Sequence, residues 1–263
     1  MSSIAPDKSP RPAWAVTPNR RVGSKYFAVG LLLTVICVAA WPWGAVLLWP
    51  IVAIAIVVAG YFFLGAGIYR KQQGRLPRGT RMLLAPVVAG QYLSWLYYKR
   101  HCAPSSAVSP NVWIGRWLTD AEAEDAIRQG VTAVVDLCDA FCEAAPFLDI
   151  DHLQLPVLDL TAPTQAQLLD AVDFIESRSA TGVVYVHCKI GYSRSAAVVA
   201  AWLLESGRAA SAAEAIAHLR AIRPTIVIRP EAQRAIEEFA NAARSNVNQS
   251  LSRSQGALPA GDR

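Results

Sequence analysis

The interpretation of this sequence starts from VYVHCKIGYSRS, residues 184–195. An apolar, β-branched run ends there in a short polar loop, and the apolar run AAVVAAWLL follows at residues 196–204. This order predicts a strand, a tight loop and a helix. A loop that enters a helix directs backbone N–H groups and the positive end of the helix dipole at one point, which favours a bound phosphate. The sequence therefore predicts an anion-binding loop with Cys188 at its mouth.

The side chains of this loop suit nucleophilic chemistry on a phosphate ester. The positive electrostatic field of the loop N–H groups and the helix dipole, which favours a bound dianion, also favours a thiolate over a thiol. The pKa of Cys188 is therefore expected below the ~8.5 of a free thiol. Arg194 follows six positions later, where a guanidinium can hold two phosphate oxygens in a bidentate fork. We expect His187 to brace the loop, Ser195 to donate a hydrogen bond to the leaving sulfur, and Gly191 to let the backbone turn towards the ligand.

The spacing of these residues resembles a known phosphatase signature. His187-Cys188, five residues, then Arg194-Ser195 resembles the phosphate-binding loop of the cysteine-dependent protein tyrosine phosphatase superfamily, and residues 191–195 are similar to its dual-specificity branch. A rhodanese loop has one residue fewer before the arginine, and a buried structural cysteine is the other alternative. The resemblance covers residues 110–242 and implies hydrolysis of phosphomonoesters without a metal or cofactor. It implies phosphate binding by Lys189, Ile190, Gly191, Tyr192, Ser193 and Arg194.

A proton donor for the leaving oxygen is expected on the segment that contains Asp159. A positioned acid contributes ~10²–10⁴-fold to such a reaction. Asp159 precedes Cys188 by 29 residues, and the resemblance places the general acid of dual-specificity phosphatases at this point of the fold. Asp149 and Asp151 are alternatives, but they precede or enter the predicted strand. The implied mechanism is attack by Cys188, protonation of the leaving group by Asp159, and hydrolysis of a cysteinyl-phosphate by water that the same aspartate activates.

The charge of the chain is unevenly distributed. Residues 1–100 hold 12 of the 25 Lys and Arg and one acidic residue, Asp7, whereas residues 101–263 hold 13 basic and 19 acidic residues. The net charge of +5 therefore conceals a basic N-terminal region and an acidic remainder. Because the positive charge flanks an apolar run, it indicates a membrane partner and no nucleic acid.

Residues 26–69 contain no Asp, Glu, Lys, Arg or His. These 44 residues would make a helix of about 66 Å, about twice the ~30 Å hydrocarbon core, so we expect a hairpin. Trp41-Pro42-Trp43-Gly44 is the predicted turn, between the arms Tyr26 to Ala40 and Ala45 to Tyr69. A buried hairpin of a soluble protein is the alternative. Basic residues on both flanks and none in the turn predict a multi-pass membrane protein whose catalytic domain faces the cytoplasm.

A second apolar stretch, residues 82–98, lies between basic residues. We interpret it as a helix in the membrane interface. The alternative is a third span, which would move the catalytic domain to the other side of the membrane.

From Asn111 the pattern becomes that of an α/β domain. Strands are predicted at 111–115, 131–137, 152–157 and 183–186, and helix starts with capping-box spacing at Thr119, Thr164 and Ser211. The predicted fold is a dual-specificity-phosphatase-like, mainly parallel sheet flanked by helices and preceded by a transmembrane helical hairpin. The predicted N-terminal divisions are a disordered basic tail at 1–21, the hairpin at 22–69, and a juxtamembrane and interfacial segment at 70–109. The phosphatase domain is predicted at 110–244, and its last helix runs from Pro230 to Arg244. A disordered tail is predicted at 245–263.

Three functions are compatible with these features. The first is a membrane-anchored phosphatase acting on a phospholipid head group, since Lys189 after the nucleophile resembles the branch of lipid phosphatases that contains phosphatidylglycerophosphate phosphatase. The second is a tethered phosphatase for phosphotyrosine, phosphoserine or phosphothreonine, and the third is an inactive phosphate-binding module. Oxidation of Cys188 with Cys138 or Cys142 to a disulfide is a further possibility. We expect no metal, because none of the four His is spaced from Cys or carboxylates as a ligand set.

Overall fold

A computed structural model describes residues 18–256, except for the side chains of residues 243 and 246–256. Its centre is a five-stranded sheet in the order β1-β2-β5-β3-β4. The strands are Ser105–Ser109 (β1), Val112–Arg116 (β2), Val131–Cys138 (β3), Asp151–Val157 (β4) and Val183–Cys188 (β5). β1 runs antiparallel to β2, and the other neighbouring pairs are parallel. The predicted mainly parallel sheet is confirmed.

Helices cover both faces of the sheet and form the N-terminal region. In residues 18–256 the α-helices are Arg20–Ala39 (α1), Leu48–Ala59 (α2), Arg78–Leu83 (α3), Ala85–Tyr98 (α4), Asp120–Arg128 (α5), Gln165–Ser179 (α6), Ser193–Glu205 (α7), Ala212–Ile222 (α8) and Pro230–Gly256 (α9). The predicted arrangement of flanking helices behind an apolar hairpin is confirmed.

The central strand β5 directs alternate side chains to opposite faces of the sheet, as the pleat requires. Val184, Val186 and Cys188 belong to the core formed with α6 to α9. Tyr185 packs on the other face in the core that includes residues of α5. Cys188 and the preceding His187 therefore lie on different sides of the sheet.

The predicted helix starts are confirmed, and two of them are complete capping boxes. Thr119 pairs with Glu122, and Thr164 pairs with Gln167, through reciprocal side-chain and backbone hydrogen bonds. Ser211 accepts from the N–H of Glu214, but the Glu214 carboxylate accepts from Ala210 instead of closing the box.

Two boundaries of the catalytic region differ from the prediction. β1, Ser105–Ser109, joins the sheet although it lies in the segment predicted as juxtamembrane. Its composition, SSAVS, has too few apolar residues to indicate a strand, and pairing with β2 supplies the hydrogen bonds. At the other end, α9 continues to Gly256 into the predicted tail. Residues 245–255 contain neither Gly nor Pro, so nothing in that stretch interrupts the helix.

The N-terminal apolar run forms two antiparallel helical arms. α1 begins at Arg20, and Asn19 caps it by accepting from the N–H of Val22. The ordered helix thus starts inside the predicted basic tail; residues 1–17 of that tail lie outside the described part of the chain. The second arm runs as one helical segment, Trp43–Tyr69, and the connection falls at the predicted turn.

The segment between the hairpin and the sheet packs against the catalytic domain. Leu84, between α3 and α4, and Val87 and Trp95 of α4 share a core with Phe141 and Ile190 of the catalytic domain. The outer side of this segment remains apolar and exposed, at Met82, Leu83, Leu93, Tyr97 and Tyr98. The stretch predicted as one helix, residues 82–98, is therefore divided at Leu84 between the end of α3 and α4, and α4 has one buried face and one exposed apolar face.

Candidate active site

The loop after β5 connects the central strand to α7. Gly191 has φ +75° in this loop, a conformation that L side chains rarely adopt. A Cβ there would lie 2.4 Å from the carbonyl carbon of Gly115. Only glycine therefore allows the loop to fold this closely against β2.

The sulfur of Cys188 lies at the base of the loop and is buried. Its Sγ is 3.6 Å from Ser195 Oγ. Burial raises the pKa of the thiol, but the Arg194 guanidinium and hydrogen bonds from Ser195 and the N–H of Ile190 outweigh this effect and lower the pKa to about 7. The structure brings Cys188, Ser195 and Arg194 together, as the sequence predicts.

Arg194 is held in place by groups at and just beyond the carboxyl ends of the neighbouring strands β3 and β4. Its Nη1 donates to Asp139 Oδ1 at 3.1 Å and to the carbonyl of Val157 at 2.7 Å. Its Nη2 donates to Asp159 Oδ1 at 2.9 Å. Asp139 is buried, and sequence analysis did not identify it. The arginine is therefore oriented before a ligand arrives.

Asp159 lies beside the loop with its side chain 20% exposed. It accepts from Arg194, and its Oδ2 is in contact with Lys189 Nζ. Burial raises the pKa of the Asp159 carboxyl, but the Arg194 and Lys189 charges outweigh burial and lower it. The alternative Asp151 is exposed and pairs with Arg178 instead. The structure thus places Asp159, and not Asp151, at the cysteine loop.

His187 braces the loop from the opposite face of the sheet. Its Nε2 lies 2.7 Å from Glu143 Oε2, and its ring stacks on Tyr185 at 5.5 Å. Burial lowers the pKa of His187, but the charge of Glu143 outweighs this and raises it. The histidine therefore anchors β5 to the segment that follows β3.

Glu143 belongs to a buried cluster that sequence analysis did not predict. Ligand atoms of Asp136, Glu143 and His152 lie within 4.8 Å of one another, contrary to the expectation from spacing. Lys71 reaches this cluster from the end of the hairpin, and its Nζ lies 2.5 Å from Asp136 Oδ2 with both side chains fully buried. The Lys71 ammonium offsets one carboxylate. Burial lowers the pKa of His152, but the adjacent Asp136 and Glu143 carboxylates outweigh this and raise it to about 9, so its imidazolium can offset the other. The chemistry of the cluster therefore fits an ion-pair network. Because Lys71 is buried, it does not belong to the exposed basic flank that is predicted after the hairpin.

A cavity of about 440 Å³ opens above Cys188. Its floor is formed by the cysteine loop, with Lys189 and Arg194, and Arg229 lies on its rim. One wall comes from the N-terminal region, because Tyr26 of α1 and Gln91, Ser94 and Tyr98 of α4 line it. The pocket therefore lies between the catalytic domain and the apolar helices.

Comparison with known proteins assigns this arrangement to a family. The family described as "Dual specificity phosphatase, catalytic domain" matches residues 112–242. This part of the chain is a dual specificity phosphatase catalytic domain. The dual-specificity domain thus includes β2 to β5 and the cysteine loop, and the family to which it belongs consists of phosphoric monoester hydrolases of the protein tyrosine phosphatase type.

Among similar curated proteins are two phosphatidylglycerophosphate phosphatases. Phosphatidylglycerophosphate phosphatase PTPMT2 of Arabidopsis thaliana is 33% identical over 142 residues, which are 51% of this chain and 60% of that protein. Phosphatidylglycerophosphatase and protein-tyrosine phosphatase 1 of Mus musculus is 42% identical over 92 residues, 34% of this chain and 47% of that protein. The chain thus spans about half of the length of the curated relatives it matches.

A solved structure of the same type covers the catalytic region. PTPMT1 in complex with PI(5)P aligns with a TM-score of 0.51 and 26% identity, over 55% of this chain and 99% of that chain. This similarity supports the dual-specificity-phosphatase-like fold.

The pKa of Cys188 predicts how its reactivity depends on pH. Because only the thiolate reacts with iodoacetamide, we expect the rate of inactivation to rise with pH and reach half of its maximum near pH 7. Replacement of Arg194 by alanine removes the charge that lowers this pKa and should shift the midpoint upwards. An unchanged midpoint in that variant would show that Arg194 does not stabilise the thiolate.

Proposed function

We propose that this protein is a membrane-anchored, cysteine-dependent phosphatase that hydrolyses a phosphomonoester on a phospholipid head group. The observation that carries this proposal is the position of the Cys188 pocket, whose wall is built partly from the apolar hairpin and α4. A substrate that lies in a membrane can reach such a pocket without leaving the lipid surface.

The geometry supports hydrolysis through a cysteinyl-phosphate. The Cys188 thiolate attacks phosphorus, and the phosphate oxygens are held by loop N–H groups and the Arg194 guanidinium. A phosphate dianion in the loop competes with Asp159 for Arg194 and adds negative charge beside the carboxyl. This raises the pKa of Asp159 and allows it to carry the proton that the leaving oxygen needs. The same carboxylate then takes a proton from the water that hydrolyses the intermediate.

The N-terminal helices have the exposure expected of lipid-facing segments. Arg20–Ala39 and Trp43–Tyr69 contain apolar windows of which only 17% and 28% are buried. A core helix of a soluble protein would be mostly buried. α1 has 20 residues, which corresponds to about 30 Å and matches the hydrocarbon thickness. These properties support a two-span anchor.

The position of the pocket supports a cytoplasmic catalytic domain. Tyr26, near the start of α1, lines the pocket, so the site lies at the end of the hairpin that carries the basic residues and not at the uncharged turn. Tyr98 at the end of α4 also lines the pocket, and the exposed apolar side chain of Tyr97 beside it supports contact with the interface at this end.

We expect a reporter fused after Arg263 to give a cytoplasmic signal. The measurement is a pair of fusions, one active only in the cytoplasm and one active only outside it. A signal from the external reporter would contradict the proposed orientation.

Substitution of Asp159 by asparagine tests the proposed general acid. We expect kcat/KM, which reports on phosphorylation of the cysteine, to fall about 10²–10⁴-fold for alkyl phosphates, whose leaving group requires protonation, and much less for activated aryl phosphates. The measurement is the dependence of kcat/KM on leaving-group pKa in the purified full-length protein. Equal losses across the series would assign protonation to another group.

The substrate class is tested by parallel assays of the full chain in vesicles. Phosphatidylglycerophosphate, phosphoinositides and phosphopeptides are compared by phosphate release, with Cys188→Ser as the control for contaminating activity. The proposal predicts that a lipid has the highest kcat/KM. A phosphopeptide with the highest kcat/KM would favour a tethered protein phosphatase, and no turnover of any of them or of aryl phosphates would favour an inactive binding module. The intact set of Cys188, Arg194, Ser195 and Asp159 argues against inactivity.

A further inference from the structure

The loop that carries Asp159 is held by hydrogen bonds from the N-terminal hairpin. The hydroxyl of Tyr61 donates to the carbonyl of Asp159 at 2.8 Å. The amide of Asn19 donates to the carbonyl of Leu160 at 2.7 Å. These two donors lie at the start of the first arm and near the end of the second, and their targets are consecutive residues.

The conformation of this loop requires such support. Leu160 has φ +61°, a left-handed conformation that is costly for a branched side chain and persists only where its surroundings fix it. Asp159 precedes it directly, so a relaxation of Leu160 would move the carboxyl. Tyr61 is 2% exposed. Water could therefore take over its hydrogen bond to the Asp159 carbonyl only if the contact between the hairpin and the catalytic domain opened.

We propose that the hairpin is a positioning element for catalysis as well as an anchor: Tyr61 and Asn19 hold the loop in which Asp159 acts. The inference rests on the proposed role of Asp159 as the general acid. A misplacement of a reacting group by about 1 Å can cost about 10²-fold, so loss of one of the two donors is expected to have a smaller but measurable effect.

The test uses Tyr61→Phe and Asn19→Ser in the full-length protein. Serine keeps an N-cap acceptor for α1 but removes the amide donor. For each variant we expect kcat/KM to fall about tenfold for alkyl phosphates and less than about threefold for activated aryl phosphates, because only with the former does phosphorylation of Cys188 depend on protonation of the leaving group.

Tyr185→Phe is the matched control. Tyr185 is also buried, and its hydroxyl is shared by the carbonyls of Pro104 and Arg116, away from the Asp159 loop. If loss of a buried hydroxyl only lowers stability, Tyr185→Phe should lower the unfolding temperature as much as Tyr61→Phe does. The dependence of kcat/KM on leaving-group pKa should stay that of the wild type in Tyr185→Phe. If Asp159→Asn shows the leaving-group dependence and neither Tyr61→Phe nor Asn19→Ser does, the positioning role is wrong. If Asp159→Asn lacks it too, the proposed general acid is wrong.

Discussion

Replacement of Cys188 by serine is expected to abolish phosphate release while binding of a phosphate ester stays measurable. A serine hydroxyl is not ionised at neutral pH, whereas the pKa of the Cys188 thiol is lowered to about 7. The loop N–H groups and Arg194 are unchanged by the substitution, so the anion still has its partners. Phosphate release and equilibrium binding of a substrate are the two measurements.

The control for this variant is Cys142→Ser, whose Sγ accepts a hydrogen bond from the N–H of Leu76 outside the pocket. A serine oxygen can accept the same bond, so turnover should be retained. Turnover in Cys188→Ser would show that another group is the nucleophile. All five cysteines are free in the structure, and a disulfide of Cys188 with Cys138 or Cys142 stays a prediction.

Arg194→Lys is expected to lower kcat/KM by roughly 10³-fold or more. One ammonium cannot reproduce the planar fork that contacts Asp139, Val157 and Asp159 at once. The charge is preserved, so a large loss would come from geometry. The measurement is kcat/KM with an aryl phosphate, whose turnover does not depend strongly on the general acid.

A matched control for Arg194→Lys is Arg116→Lys. Arg116 is also buried and forms a two-point contact with Glu122, at 2.7 and 3.0 Å, without lining the pocket. It should lose stability but keep turnover. Near-normal kcat/KM in Arg194→Lys would show that Arg194 is not the phosphate clamp.

The parts of the site that lie close together in sequence could be predicted from it. Cys188, Arg194 and Ser195 belong to one loop, and a loop between a strand and a helix has few possible geometries. The capping boxes and the uncharged hairpin are local patterns as well. For the same reason the fold class could be predicted from strand and helix patterns along the chain.

The supporting residues could not be predicted, because their partners are distant in sequence. Asp139 is 55 residues from Arg194, Lys71 is 65 from Asp136, and Tyr61 is 98 from Asp159. Each of these contacts depends on how the elements pack, which no spacing in the sequence indicates. Lys71 shows the consequence, since a basic residue beside an apolar run is typical of a membrane flank but here is buried in an ion pair.

In the proposed mechanism Cys188 is phosphorylated during turnover. The most direct measurement is mass spectrometry of the full-length protein after rapid acid quenching during hydrolysis of an aryl phosphate. We expect a phosphate adduct on the peptide that contains Cys188, and no adduct in Cys188→Ser. Continued turnover with no adduct, or with the adduct on another residue, would contradict it.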